Sequence, residues 1–505
     1  MTTLARASTA YAAVAAAVVF VACGEPPAER EVTRVLGPLP SAILSVSGVN
    51  GALWVAGAAD EAGALLASRP KGGDRFERSD LRPIDPTSGD LWWVHATSTR
   101  VATVGDRGRV FVADVTDSGH AEFSLVPTDS TVTLYGVSGD DILYAVGGPP
   151  ATIVRIAKAG PSYTASLVAL PADAPTDVRL FKVHVDGERV HIVGERGTYL
   201  VLNETPDGPA ITYDPVPGRP RLVTIHGPTG ACVAVGGSTN GYAVLLGDDG
   251  ARLLPPGQVA PLSGVFVARS TFATGFLGLL LERTGDTWRE VPGLEPTFDG
   301  HAVFVDEVGV GWVAGGRLLD GTLRGGALWR IGPGAAESSS VSTLDVATPD
   351  GDTTDADTSD TPESDTGPDA ETCAPQAPAT TLELGTRDFS GCFAPYLDGS
   401  EATIINGPQG GSHVEVSLRF AGADPRIDLS LALIVDGTTV ARFEADGFPT
   451  EVDADDRDTR ITTDLPVIFA GADASAWVGR AATLEATMSA SGQSQRAQVL
   501  LTLVR

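Results

Sequence analysis

Along the first two thirds of the chain, apolar and polar positions alternate with period two in short runs rich in Val, Ile, Ala and aromatic residues. That pattern predicts half-buried β-strands. The stretch Leu134-Tyr-Gly-Val-Ser-Gly-Asp-Asp-Ile-Leu-Tyr-Ala-Val-Gly147 is the clearest copy of a repeated unit, in which an apolar strand and a polar turn lead to a second strand ending in glycine. The closing glycine returns at Gly57, Gly105, Gly147, Gly194, Gly236, Gly275 and Gly315, and the six steps from 57 to 315 average 43 residues. Such a period suits a four-stranded propeller blade. The central apolar residues of the first strands align at Val46, Val94, Val137, Val183, Ile225, Val265 and Val303. Seven blades are therefore predicted over residues 30–332, each apolar on both faces and able to bury them only by stacking in a ring. The closing glycines are expected to serve a hairpin turn that requires positive φ.

Ring closure is predicted from what the last copy lacks. Its third strand, Ala327-Leu-Trp-Arg-Ile331, runs straight into a polar segment, so an outermost strand is missing. Arg30-Glu-Val-Thr-Arg-Val-Leu36 has the pattern of such a strand, similar to Thr287-Trp-Arg-Glu-Val-Pro-Gly-Leu294 of the sixth copy. The N-terminal strand is expected to complete the seventh blade and leave no open edge there.

The pattern then changes twice. Residues 333–372 carry no Lys or Arg, and 11 acidic residues fall between Glu337 and Glu371 among Ser, Thr, Pro, Gly and Ala. This composition predicts an acidic disordered linker, extended by self-repulsion. Over 373–505 alternation resumes at Val414–Phe420, Ile427–Val435, Thr439–Phe443, Ala482–Met488 and Ala497–Val504, with an Asp436-Gly437 hairpin turn. The expectation is an immunoglobulin-like β-sandwich, with Cys373 and Cys392 as natural disulfide partners. The fold class is all-β.

The N-terminus reads differently. Arg6 precedes the apolar run Tyr11–Ala22, which is too short for a spanning helix and has the length of a signal-peptide core. Phe20-Val-Ala-Cys-Gly24 resembles a bacterial lipobox, with Phe20 in place of the usual aliphatic residue. That resemblance implies a lipoprotein signal peptide at 1–22, lipidation of Cys23, and a tether at 23–29. The mature chain would then sit in an oxidising compartment of the bacterial envelope, at the outer membrane or cell surface, held to the membrane by its lipid alone.

Charge narrows the partners. Sixty-four acidic residues against 35 basic ones give a formal charge of -29, which argues against nucleic acid and against adhesion to anionic lipid. Of the candidates for chemistry, the first is positional: the residue after each aligned apolar position is Ser47, His95, Ser138, His184, His226, Phe266 or Phe304. His95, His184 and His226 thus share one tier and are candidates for a metal, against the alternative that this position packs between blades. The carboxylates Asp453, Asp455, Asp456 and Asp458 are candidates for Ca²⁺, against a solvated acidic loop. Gly407–His413, with Gln409 and His413, reads as a binding loop or a tight turn. No other cofactor is expected. Glu282-Arg-Thr-Gly-Asp-Thr-Trp288 is similar to a broken sialidase aspartate box, and Asp106-Arg107 and Glu195-Arg196 repeat at hairpin tips as solvated turns.

These glycine-punctuated repeats resemble the propellers of bacterial secreted proteins, the photosystem-assembly-factor-like and kelch-like class. The resemblance covers about 300 residues and implies fold more than function. The expected role is a monomeric, non-enzymatic binding or scaffold protein whose partner is a protein or glycan of the envelope. The alternative is a propeller hydrolase or lyase acting on exported carbohydrate, with the sandwich as accessory.

Overall fold

A computed structural model describes residues 30–87, 89–115, 121–160, 162–205, 208–238, 240–257, 259–319, 322–332, 344–346, 381–387, 393–406, 412–422, 426–452, 459–469, 474–490 and 493–505. Cys23, Cys373, Cys392, Gln409 and the four loop aspartates fall outside these residues. Among the described residues no helix is long and apolar enough to cross a membrane.

Seven four-stranded antiparallel sheets form the predicted ring. Their innermost strands are Ile43–Val49, Leu91–Ala96, Leu134–Gly139, Leu180–Asp186, Leu222–His226, Leu262–Val267 and Asp299–Val305. Separate apolar clusters lie between successive blades, for example Val104, Val112, Val137 and Ile156 between blades two and three. Each sheet therefore buries both faces against its neighbours.

The ring closes as the sequence predicts. Glu31–Ser41 runs antiparallel to Arg324–Gly332 as the outer strand of blade seven, pairing Glu31 with Gly332 and Val32 with Ile331. Leu36 is fully buried there. Arg30 reaches blade six, where its guanidinium lies 2.8 Å from Glu282, and Arg289 donates to the other oxygen of the same carboxylate at 2.6 Å. Burial alone would raise the Glu282 carboxyl, but these two arginines hold it below its ordinary range. The segment similar to an aspartate box is thus an anchor for the closing strand.

The closing glycines answer to a different constraint from the one expected. None of the seven has positive φ; Gly105 and Gly194 are extended, at φ −166° and −163°. Six of the seven pair with the first residue of their blade's inner strand, as in Leu91 with Gly105 and Leu180 with Gly194, and Gly315 pairs with the second, Gly300; a β-bulge follows at once in each inner strand. The carbonyl of the preceding residue, Asp90 or Arg179, is folded over the glycine and accepts the N–H of the next residue, Asp106 at 3.1 Å or Glu195 at 3.0 Å. A Cβ at any of the seven would lie far inside contact distance of that oxygen. Close backbone approach, rather than left-handed conformation, selects glycine.

Asp106 and Glu195 are likewise not free turn residues. Asp106 accepts from the Asp90 N–H and the Trp92 indole, both at 3.2 Å, and Glu195 accepts from the Arg179 N–H at 3.0 Å. They pin the bulge from the far side of the hairpin.

A piece of the expected linker joins the ring. Leu344–Val346 adds a parallel strand to the outer edge of blade one, beside Phe76–Arg78.

The C-terminal residues form a β-sandwich around one apolar core that includes Val416, Leu418, Leu431, Leu433, Leu465, Leu484 and Leu501. Its strands belong to one hydrogen-bonded ladder, and Ser400–Thr403 completes it in parallel with Gln493–Val504. The Asp436-Gly437 turn has φ 49° and 76°, the double positive φ of the predicted tight hairpin, and pairs Val435 with Thr438. His413 is buried in the strand Ser412–Ala421 and so is not a loop tip.

Candidate axial channel site

Each inner strand enters the ring through its bulge. The extra residue is thrown toward the axis, and in blades two, three and four it is aromatic: Trp92, Tyr135 and Phe181. Their rings meet edge-on or tilted, Trp92 to Tyr135 at 5.3 Å and Tyr135 to Phe181 at 5.6 Å, with the blade-seven bulge residue His301 at 6.2 Å from Trp92. His301 Nδ1 is bonded to the Leu44 carbonyl. Leu44 and Leu318 pack on this group, so one end of the channel is filled by apolar rings.

One residue further along, Trp93 of blade two and Lys182 of blade four meet. The Lys182 Nζ lies 3.0 Å from the Trp93 ring centre, although blade three stands between their strands, so the contact reaches past the inner strand of blade three. Gly136 occupies the equivalent position in blade three; a Cβ there would be 3.0 Å from the Lys182 Cα and 2.9 Å from the Phe181 carbonyl oxygen. Lys182 is 7% exposed, and among the described residues no carboxylate pairs with it. Burial drives its amine well below the ordinary lysine range.

The next tier is the one the sequence singled out. His95, His184 and His226 do share it, and the His184 and His226 rings lie 4.6 Å apart. Their hydrogen bonds reach the following blade. His95 Nε2 lies 2.9 Å from the Gly139 carbonyl oxygen, and His184 Nε2 lies 2.8 Å from that of Gly227. The Val267 N–H donates to His226 Nδ1 at 3.1 Å. The serines behave alike: Ser47 Oγ accepts from Ala96 N–H at 3.0 Å and Ser138 Oγ from Val185 N–H at 3.1 Å. In the remaining blades His226 stacks on Phe266 at 3.9 Å, and Phe266 meets Phe304 edge-on at 5.3 Å. Ser, His and Phe are therefore three chemical solutions to one task, latching a blade to the next.

These bonds fix the tautomers. A carbonyl only accepts, so Nε2 of His95 and His184 carries the proton and Nδ1 is a lone-pair acceptor. In His226 Nδ1 accepts, so Nε2 carries the proton. Burial lowers His95 and His184 to about 4, and His226 is lowered as well. All three are neutral imidazoles near pH 7. Among the described residues no group of three His, Cys, Asp or Glu is placed to hold a metal ion.

Sequence reasoning passed over Lys182 and Trp93. A signal existed, because the chain has only three lysines, Lys71, Lys158 and Lys182, against 32 arginines. Cys232 is the buried, inert thiol expected: its Sγ lies 3.2 Å from the Gly227 carbonyl oxygen, and burial pushes it up to about 12.

No protein family matches the sequence, and no curated protein does. Among solved structures, YCF48 from Cyanidioschyzon merolae is 13% identical, with a TM-score of 0.46, over 60% of this chain and 99% of its own. A structure of YCF48 bound to D1 peptide is 17% identical, with a TM-score of 0.45, over 60% and 96%. U3-55K is 14% identical, with a TM-score of 0.46, over 59% and 98%.

Proposed function

We propose that this chain is a lipid-anchored protein of the bacterial envelope, in which the propeller rims bind a protein or glycan partner and the immunoglobulin-like sandwich adds a second contact. The observation that carries this reading is how the channel's polar side chains are used. Ser47, His95, Ser138, His184 and His226 each bond to the next blade's backbone, which supports a ring built as a rigid scaffold. Recognition then falls to the exposed rims and outer edges, where loops vary without disturbing the ring.

The anchoring part rests on sequence. Cys23 precedes the first strand residue, Glu31, by eight positions, a span of at most about 26 Å when extended, so a lipidated Cys23 would hold the ring near the bilayer. In that oxidising compartment Cys373 and Cys392 would pair. Substituting Cys23→Ala is expected to move the full chain from the membrane fraction to the soluble one; unchanged partitioning would refute the anchor. Cross-linking the anchored chain in intact cells is expected to capture an envelope protein or glycan on propeller loops. Adducts confined to the sandwich would refute the ring as the main contact.

A further inference from the structure

The geometry points to a second capability: we propose that Lys182 is a carbonyl-capturing amine, and that the axial channel takes a small aldehyde as an imine on its Nζ. This inference is independent of membrane anchoring and of the partner that the rims bind.

Four observations carry it. Lys182 is buried over an indole face with no carboxylate to hold it as an ammonium, among the described residues. A neutral amine is the nucleophilic form, and lysine, unlike arginine, can reach it. This chain uses arginine as its ordinary cation; its other two lysines, Lys71 and Lys158, are exposed, and Lys158 is paired with Asp114 at 2.6 Å. Trp93 and the tier of His95, His184 and His226 are part-buried, so the side chains around the amine present some surface to solvent. Lastly, that tier presents both proton acceptors, Nδ1 of His95 and His184, and a donor, Nε2 of His226.

The reaction balances without any redox partner. The Nζ lone pair attacks the carbonyl carbon, the C=O π pair moves to oxygen, and one Nζ proton passes through an imidazole to that oxygen, giving a carbinolamine. The nitrogen lone pair then expels the hydroxyl, which takes a proton from the imidazole pair and leaves as water. The last Nζ proton passes to the imidazole pair, replacing the one given to the hydroxyl, and leaves the neutral imine. Trp93, Phe266 and Phe304 supply flat apolar surface for the body of the aldehyde.

The test uses the full chain and benzaldehyde with cyanoborohydride, which delivers hydride to the imine carbon and makes the adduct permanent. Peptide mass mapping then reads labelling at Lys71, Lys158 and Lys182. Each unit by which a lysine is lowered raises its neutral fraction about tenfold near pH 7, so Lys182 should be labelled at least about tenfold faster than either exposed lysine. Labelling at Lys182 no faster than at Lys71 overturns the proposal. K182M keeps the length of the stem over Trp93 and is expected to abolish the fast phase with the melting transition retained. A fast phase that survives in K182M also overturns it.

Discussion

Lys182 and Trp93, from blades four and two, touch past the inner strand of blade three with the amine 3.0 Å from the ring centre. The contact exists because Gly136 leaves the position between them empty. An indole face offsets part of the cost of burying an amine, yet among the described residues no carboxylate completes the pairing. K182M is therefore expected to raise the melting temperature by about 2–4 °C, the shift that roughly 1 kcal/mol produces in a domain of this size. A scanning calorimetry trace with a lowered transition would show that the amine is a net support of the ring.

The closing glycines should separate sharply from the glycines of ordinary turns. Gly147→Ala drives a Cβ into the Thr133 carbonyl oxygen, and the bulge that seats Tyr135 must open to admit it. A loss of about 3 kcal/mol or more is expected in urea unfolding. Gly285 has φ +62° with nothing within 4 Å, so Gly285→Ala should cost only about 1 kcal/mol of backbone strain. Equal losses at the two positions would refute close approach as the reason for the repeat.

That contrast also shows what the sequence could disclose. Period-two alternation and the 43-residue spacing of glycines revealed seven blades, and the unpaired third strand at Ala327–Ile331 revealed how the ring closes. The reason for the glycines was not legible, because a bulge is a one-residue slip in pairing and leaves no mark on hydrophobic periodicity. His95, His184 and His226 were correctly placed in one tier, but their hydrogen-bond partners are backbone carbonyls and amides of the next blade, which no side-chain pattern encodes. Lys182 escaped notice for a related reason. Its partner Trp93 is 89 positions away in a non-adjacent blade. The strand Thr459–Phe469 was missed because Pro466 breaks its apparent strand pattern, although it lies inside the sandwich ladder.

Acid should loosen the ring before it affects surface charge pairs. His95, His184 and His301 are lowered to about 4, chiefly by burial, whereas in the unfolded chain they titrate near 6.5. Between these values the unfolded state binds protons that the folded state refuses, so stability falls as pH drops from about 6.5 to about 4. Glu282 acts in the same direction at the lower end, since its lowered carboxyl gives support that is lost as it protonates. The melting temperature is expected to fall by on the order of 5 °C or more between pH 7 and pH 5. A flat profile over that range would contradict neutral, buried imidazoles.

The ion pairs at the closure have a predicted cost of their own. Arg30→Ala leaves the Glu282 carboxylate, 4% exposed, with Arg289 as its remaining arginine partner. A loss of about 1–3 kcal/mol is expected, the usual penalty for removing a charged hydrogen-bond partner from a buried group. Glu282→Gln in the Arg30→Ala background should restore part of it. Additive losses in the double variant would show that the two residues are not coupled.

The most direct test of the account is hydrogen exchange of the full chain, read at Val32–Leu36. These amides belong to the strand that completes blade seven, so they should be protected to a degree comparable with Leu328–Ile331, their partners across the sheet. Exchange of Val32–Leu36 within seconds, with Leu328–Ile331 still protected, would mean that the chain's own beginning does not close the ring.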